Sequence, residues 1–204
     1  MKQTPTFVTL SALLLTAFGT AQADLIENGS FEEDSQASGT WSVNDSLTGW
    51  TSEGAGIELR NSVAGTAFDG VNYIELDSHT GTDTNSAAIQ TIGTTAIEYL
   101  LSFAYSPRIN QPSTTNGIEV YWNGDLLDMI TGTGGRSHNW QVYSFFVTGG
   151  DQESTLKFVA VGTDDTLGGS LDAVSLVSVP EPSTLALLGL GLVGLGFGRR
   201  KLAS

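Results

Sequence analysis

Between residues 24 and 179 the chain alternates short runs of Val, Ile, Leu, Tyr and Phe with clusters of Gly, Ser, Thr, Asn and Asp. No segment sustains a 3.6-residue apolar period, so the pattern predicts strands joined by turns rather than helices. The runs place strands at 57–60, 73–76, 87–92, 99–105, 118–122, 126–130, 141–147, 156–161 and 171–177. Ile118, Val120 and Trp122 alternate with Glu119 and Tyr121, which gives that strand one buried and one wet face. Asn123-Gly124-Asp125 follows it, and Asn-Gly accepts the positive φ values of a primed hairpin turn. About nine evenly spaced strands in a domain of this length imply an all-β, jelly-roll sandwich.

The pattern changes at both ends. Residues 7–18 are almost wholly apolar, Lys2 precedes them, and Ala21-Gln22-Ala23 supplies a small-x-small cleavage site. This predicts a secretory signal over 1–23, removed by signal peptidase after passage through the general secretion machinery, with Asp24 as the first mature residue. At the other end Pro180-Glu181-Pro182 terminates the last strand, because proline cannot donate to a ladder. Residues 183–198 are then apolar and glycine-rich, and Arg199-Arg200-Lys201 follow. As a helix that run is about 24 Å long against a hydrocarbon core of about 30 Å, a short transmembrane helix at best. The basic cluster orients its end toward the cytoplasm. The domains are therefore 1–23, 24–179 and 180–204.

Charge separates these regions further. All 22 acidic residues lie at or after Asp24, against four basic residues between Asp24 and Glu181, a formal charge of −18 for the exported part. Such a surface repels nucleic acid and attracts cations. The absence of cysteine excludes disulfides, thiolate metal sites, cysteine nucleophiles and lipoprotein acylation.

Pro-Glu-Pro, a short Gly/Leu-rich span and an Arg-Arg-Lys stop together resemble the PEP-CTERM sorting signal of Gram-negative bacteria. The resemblance implies recognition by exosortase, a membrane protease-transpeptidase that cuts near Pro-Glu-Pro and releases or transfers its substrate. It implies transient anchoring in the inner membrane, then the cell surface or extracellular matrix.

The domain resembles galactose-binding-like jelly rolls, which occur as carbohydrate-binding modules. The resemblance is carried by Asn28-Gly29-Ser30-Phe31-Glu32, Gly49-Trp50, Asp69-Gly70 before Tyr73-Ile74-Glu75-Leu76, Tyr105-Ser106-Pro107-Arg108, and Leu171-Asp172-Ala173-Val174-Ser175-Leu176. The family often carries two successive acids in its closing strand, and Ala173 holds the second place here. In those modules a structural Ca²⁺ sits between the N-terminal Glu and the C-terminal Asp, which by position are Glu32 and Asp172. Strand parity puts Asp172 with Val174 and Leu176, facing inward, where an uncompensated carboxylate is costly. Carboxylate and carbonyl oxygens suit Ca²⁺.

For sugar binding, an aromatic platform beside polar groups is needed. Trp50, Trp122 and Trp140 are candidates, although large aromatics in a sandwich usually pack the core. Tyr121, on the wet face, and Arg108, at a loop start, are better placed. The two histidines, His79 and His138, lie in Gly/Ser/Thr-rich loops, and no Gly-x-Ser-x-Gly elbow is present. The expected protein is a non-catalytic exported module that binds or organises exopolysaccharide of a biofilm matrix. A purely structural matrix protein is the alternative, and a small glycoside hydrolase a remoter one.

Overall fold

The computed structural model describes residues 22–78 and 85–180. Its strands are β1 (Thr40–Asn44), β2 (Ser46–Leu47), β3 (Trp50–Gly54), β4 (Ile57–Asn61), β5 (Asn72–Glu75) and β6 (Ser86–Gly93), followed by β7 (Glu98–Ser106), β8 (Gly117–Trp122), β9 (Asp125–Ile130), β10 (Gln141–Thr148), β11 (Glu153–Val161) and β12 (Ser170–Ser178). They form two six-stranded antiparallel sheets. Sheet A runs β1-β4-β5-β12-β7-β10, and sheet B runs β2-β3-β6-β11-β8-β9. This is the jelly-roll sandwich the alternation predicts. The signal segment before residue 22 and the tail after residue 180 lie outside the described residues.

Period-two patterning explains the core. Leu59, Ile74, Leu101, Phe103, Leu171 and Leu176 of sheet A are 0–2 % exposed, as are Trp50, Ile118, Val120, Leu156 and Phe158 of sheet B. Phe103 meets Phe158 edge-on across the sheets at 5.0 Å between ring centroids. Full burial of side chains of this size contributes about 1.5–3 kcal/mol each. The β8–β9 hairpin turns at Asn123 and Gly124, with φ of 52° and 86°, the left-handed pair a primed turn requires.

β12 corrects one expectation. Its pairing with β7 slips between Asp172 and Ser175, and Ala173 at the bulge has φ 49°. The extra residue inverts the alternation, so Leu171, Val174 and Leu176 all face the core while Asp172 points to the opposite face. Asp172 is nevertheless 0 % exposed, because the loop after β4 folds over it. Asp24 and Leu25 are stitched to this strand: Leu25 N–H donates to Leu176 O, and Leu176 N–H donates to the Asp24 carboxylate at 2.9 Å.

Candidate functional site

Three regions hold the chemistry. The first is the loop between β4 and β5, where both expected calcium residues arrive. Glu32 Oε1 accepts from Val71 N and Asn72 N at 2.8 and 2.6 Å. Asp172 Oδ2 accepts from Phe68 N and Asp69 N at 2.7 and 2.9 Å, and its Oδ1 from Ala173 N at 2.6 Å. The two carboxylates, 140 positions apart in the chain, thus pin one five-residue segment from its two ends. Burial pushes Asp172 up to about 7 even though three N–H donors favour its charged form. A polar groove of about 220 Å³ adjoins them, lined in part by Asp24, Gly29, Ser30, Asp69 and Ser175. Among the described residues no three His, Cys, Asp or Glu side chains converge as a metal cage, so any hard cation here needs backbone oxygens as well.

The second region is the outer face of sheet B. Tyr121 on β8 stands directly across from Lys157 on β11. Together with Gly124, Thr155 and Val159 they line an open groove of about 410 Å³. The Tyr121 hydroxyl donates to Glu119 Oε2 at 2.6 Å, and Lys157 Nζ pairs with Glu53 across β6. A ring flanked by a cation, two carboxylates and a hydroxyl therefore lies in an open groove on this sheet.

The third region is the outer face of sheet A, roofed by loops. Register places Glu58 of β4 beside Glu75 of β5, and Arg60 beside Tyr73. Like charges directly opposite repel. The Arg60 guanidinium answers them, bonding to Glu58 Oε2 and lying 3.4 Å from Glu75 Oε2. Arg108 Nη1 pairs with Glu75 Oε1 from the other side. Burial pushes Glu75 up to about 8, with Arg60 and Arg108 pulling the opposite way. Burial alone would lower Arg60, but the Glu75 and Glu58 carboxylates outweigh it and hold it above its ordinary value. Above this cluster Tyr73, His138 and Trp140 stand edge to face, with centroids 4.9–6.0 Å apart. His138 Nδ1 and Trp140 Nε1 both bond to Thr66 O, at 2.8 and 2.9 Å. Burial lowers the His138 pKa, and Nδ1, facing a carbonyl oxygen, donates in its bond to Thr66.

The sugar-platform candidates thus separate. Tyr121 lines an open groove. Arg108 and Trp140 belong to the roofed cluster. Trp50 is corrected to core, 1 % exposed, with its indole N–H on Asn28 O at 3.2 Å, and Trp122, 5 % exposed, packs likewise with its indole N–H on Thr148 O. Glu58, Arg60 and Glu75 escape sequence reading, although Glu-x-Arg in a buried strand opposite a second Glu was the available signal.

β12 ends at Ser178, and Val179 N–H closes on Glu98 O before Pro180, which has no N–H to extend the ladder. The sequence that follows decides the tail. Residues 178–201 match the PEP-CTERM protein-sorting motif. The PEP-CTERM tail implies export and processing by exosortase, and it starts on the last residue of the last strand. Among the described residues no helix is long and apolar enough to cross a membrane; the tail itself lies outside them. No curated protein matches the chain. Among solved structures, the Stig cyclase Fisc from Fischerella sp. TAU, in complex with (3Z)-3-(1-methyl-2-pyrrolidinylidene)-3H-indole, is 13 % identical, with a TM-score of 0.58 over 79 % of this chain and 100 % of its own. The carbohydrate-binding module TmCBM61, in complex with β-1,4-galactotriose, is 14 % identical, with a TM-score of 0.51 over 77 % of this chain and 99 % of its own. At such identities the likeness shows the jelly-roll fold.

Proposed function

We propose that the domain is a non-catalytic, exported module that binds matrix polysaccharide along the outer face of sheet B. The observation that carries this reading is the open groove around Tyr121. A polymer needs a site without end walls, and the groove offers an aromatic face beside Lys157, Glu119, Glu53 and Thr155, groups that exchange hydrogen bonds with sugar hydroxyls. Glycan-array and affinity-electrophoresis measurements on the mature domain are expected to find a retained polysaccharide. Tyr121→Ala should weaken retention by roughly thirtyfold, the cost of truncating an aromatic anchor. Retention unchanged in Tyr121→Ala removes the groove from the reading. No retention at all favours the structural matrix protein.

The contact between His138 and Ser170 lacks the geometry of a hydrolytic serine–histidine pair. His138 Nε2 lies 3.4 Å from Ser170 Oγ, but that serine is fully buried and the other ring nitrogen faces a carbonyl rather than a carboxylate. Release of reducing sugar from any retained polymer would overturn the non-catalytic assignment.

Calcium belongs to the same proposal as a structural ion held by Glu32 and Asp172. The support is the under-compensated charge of Asp172 and the oxygen-rich groove beside it. The ion would supply positive charge there and take no part in binding chemistry.

Processing gives a separate test. Exported protein from a host with exosortase should begin at Asp24 and lack everything after about Pro182, read by intact-mass measurement. Retention of Arg199-Arg200-Lys201 contradicts it. Replacing Glu181 and its flanking prolines should leave the domain folded, because β12 is complete by Ser178, but hold it at the inner membrane.

A further inference from the structure

The roofed cluster on sheet A lies on the other sheet from the groove at Tyr121 and plays no part in it. Glu58, Arg60 and Glu75 are each at most 2 % exposed. Even so, Glu58 Oε1, Arg60 Nη1 and Glu75 Oε2 have no hydrogen-bond partner among the described residues. Buried charged atoms left without a hydrogen bond weigh against the fold, even with Glu75 Oε2 at ion-pair distance from Arg60 Nε, and well-packed apolar side chains of the same volume would hold the sheet at least as well. Stability alone therefore does not account for these three residues. The strap above them, residues 62–71, is strained too: Ser62 and Ala64 have φ of 56° and 53°, in the left-handed region that side chains avoid. His138 and Trp140 fasten its middle at Thr66 O, the Tyr73 hydroxyl bonds to Val63 O, and Asp172 and Glu32 hold Phe68, Asp69 and Val71 at its far end, so residues 62–67 are the part that can lift.

We infer that this cluster is a second binding site, for a neutral vicinal diol such as one sugar unit, admitted when the strap lifts. The three orphaned atoms are two acceptors and one donor. Adjacent hydroxyls match them: one O–H donates to Glu58 Oε1, its neighbour donates to Glu75 Oε2, and Arg60 Nη1 donates to either oxygen. An anion meets two carboxylates here and a cation meets two guanidiniums, whereas a neutral polyol meets neither penalty. The rings of Tyr73, His138 and Trp140 supply an apolar wall for the C–H side of the ligand. Bound water could occupy the polar corner but would make no use of that wall.

Titration of the mature domain with methyl glycosides of glucose, galactose, mannose and xylose tests this, followed by calorimetry and tryptophan emission. Inorganic phosphate and glucuronate serve as charged controls. At least one neutral glycoside should bind saturably. Glu58→Gln, checked for folding by its melting transition, should weaken binding about tenfold or more, since an acceptor becomes a mixed group at a charge-assisted bond. Trp140→Phe keeps a ring but removes one of the two fastenings on Thr66; it should tighten apparent binding about fivefold by making the strap easier to lift. That rise is not what loss of a merely structural residue produces. Glycoside binding that persists in Glu58→Gln but is lost in Tyr121→Ala belongs to the groove on sheet B and overturns this site, so failure here and failure of the polysaccharide groove are told apart. Binding by none of the neutral glycosides, binding of the charged probes alone, or unaltered affinity in both Glu58→Gln and Trp140→Phe would overturn the inference.

Discussion

Arg60→Met is expected to lower the melting temperature of the domain by on the order of 10 °C. Methionine fills most of the arginine's volume, so the loss is electrostatic rather than a cavity. It strands Glu58 and Glu75 as neighbours across β4 and β5, both fully buried, with Arg108 reaching only Glu75. Removing one partner from a buried ion network costs about 3–5 kcal/mol, and a domain of this size loses roughly 2–4 °C per kcal/mol. The triple variant Glu58→Met/Arg60→Met/Glu75→Met should recover most of the loss, because the desolvation penalty disappears along with the pairing. Thermal unfolding of the two variants in parallel decides the point. If Arg60→Met melts within a degree or two of the parent, the cluster is more hydrated than its burial implies.

Calcium is the second large effect. Saturating Ca²⁺ should raise the melting temperature by on the order of 5–10 °C, since binding at a hundredfold excess over Kd adds about 2.7 kcal/mol. Asp172→Asn should abolish that response and lower the melting point even under chelation. Asp172 takes three backbone N–H bonds, and an amide nitrogen in place of one oxygen would face a donor. Mg²⁺ should act poorly, because it demands tighter octahedral geometry and gives up water reluctantly. A shielding of the overall negative charge would instead respond to both ions and persist in the variant. Without calcium the same carboxyl imposes a pH dependence. Its folded pKa is raised to about 7 from an ordinary 3.8, so the folded state holds a proton that the unfolded chain has released. Stability from this group is full below about 4 and declines as pH rises through about 7. Calcium favours the charged form and should flatten that decline. A stability curve rising between pH 5 and 7 in chelator contradicts the assignment.

Nine strands were legible because each is a run of β-branched, aliphatic or aromatic residues between turn-forming clusters, with a period-two core clearest in β8, β11 and β7. β1, β2 and β3 were not. β1 and β3 bear mostly polar, partly exposed residues, and β2 has two residues only, so none carries a periodic signal. Asp172 shows a different limit. Counting by twos along β12 gives the wrong face, because a single inserted residue at Ala173 has no mark in the sequence that would betray the bulge. The ion cluster was hidden for a related reason: Glu58 and Arg60 read as the wet face of a strand, and loops distant in sequence, among them the strap and the loop bearing His138 and Trp140, make that face an interior. Tyr121 was readable because, among the described residues, its face of sheet B is an open groove.

The position of β12 also governs how the domain carries a pull. It is an inner strand, hydrogen-bonded to β5 on one side and β7 on the other, and it runs directly into the PEP-CTERM tail. A load applied through the tail therefore enters the middle of sheet A instead of an edge. Detaching β12 means sliding it past β7 along a ladder that reaches from Ser170 to Ser178, which loads the bonds together instead of unzipping them one at a time. Asp24 and Leu25 clasp the same strand near its exit, so the entry to the domain and its exit share one mechanical pole. A polymer held at Tyr121 would pull from the opposite sheet, and the tension would cross the sandwich through its aromatic core.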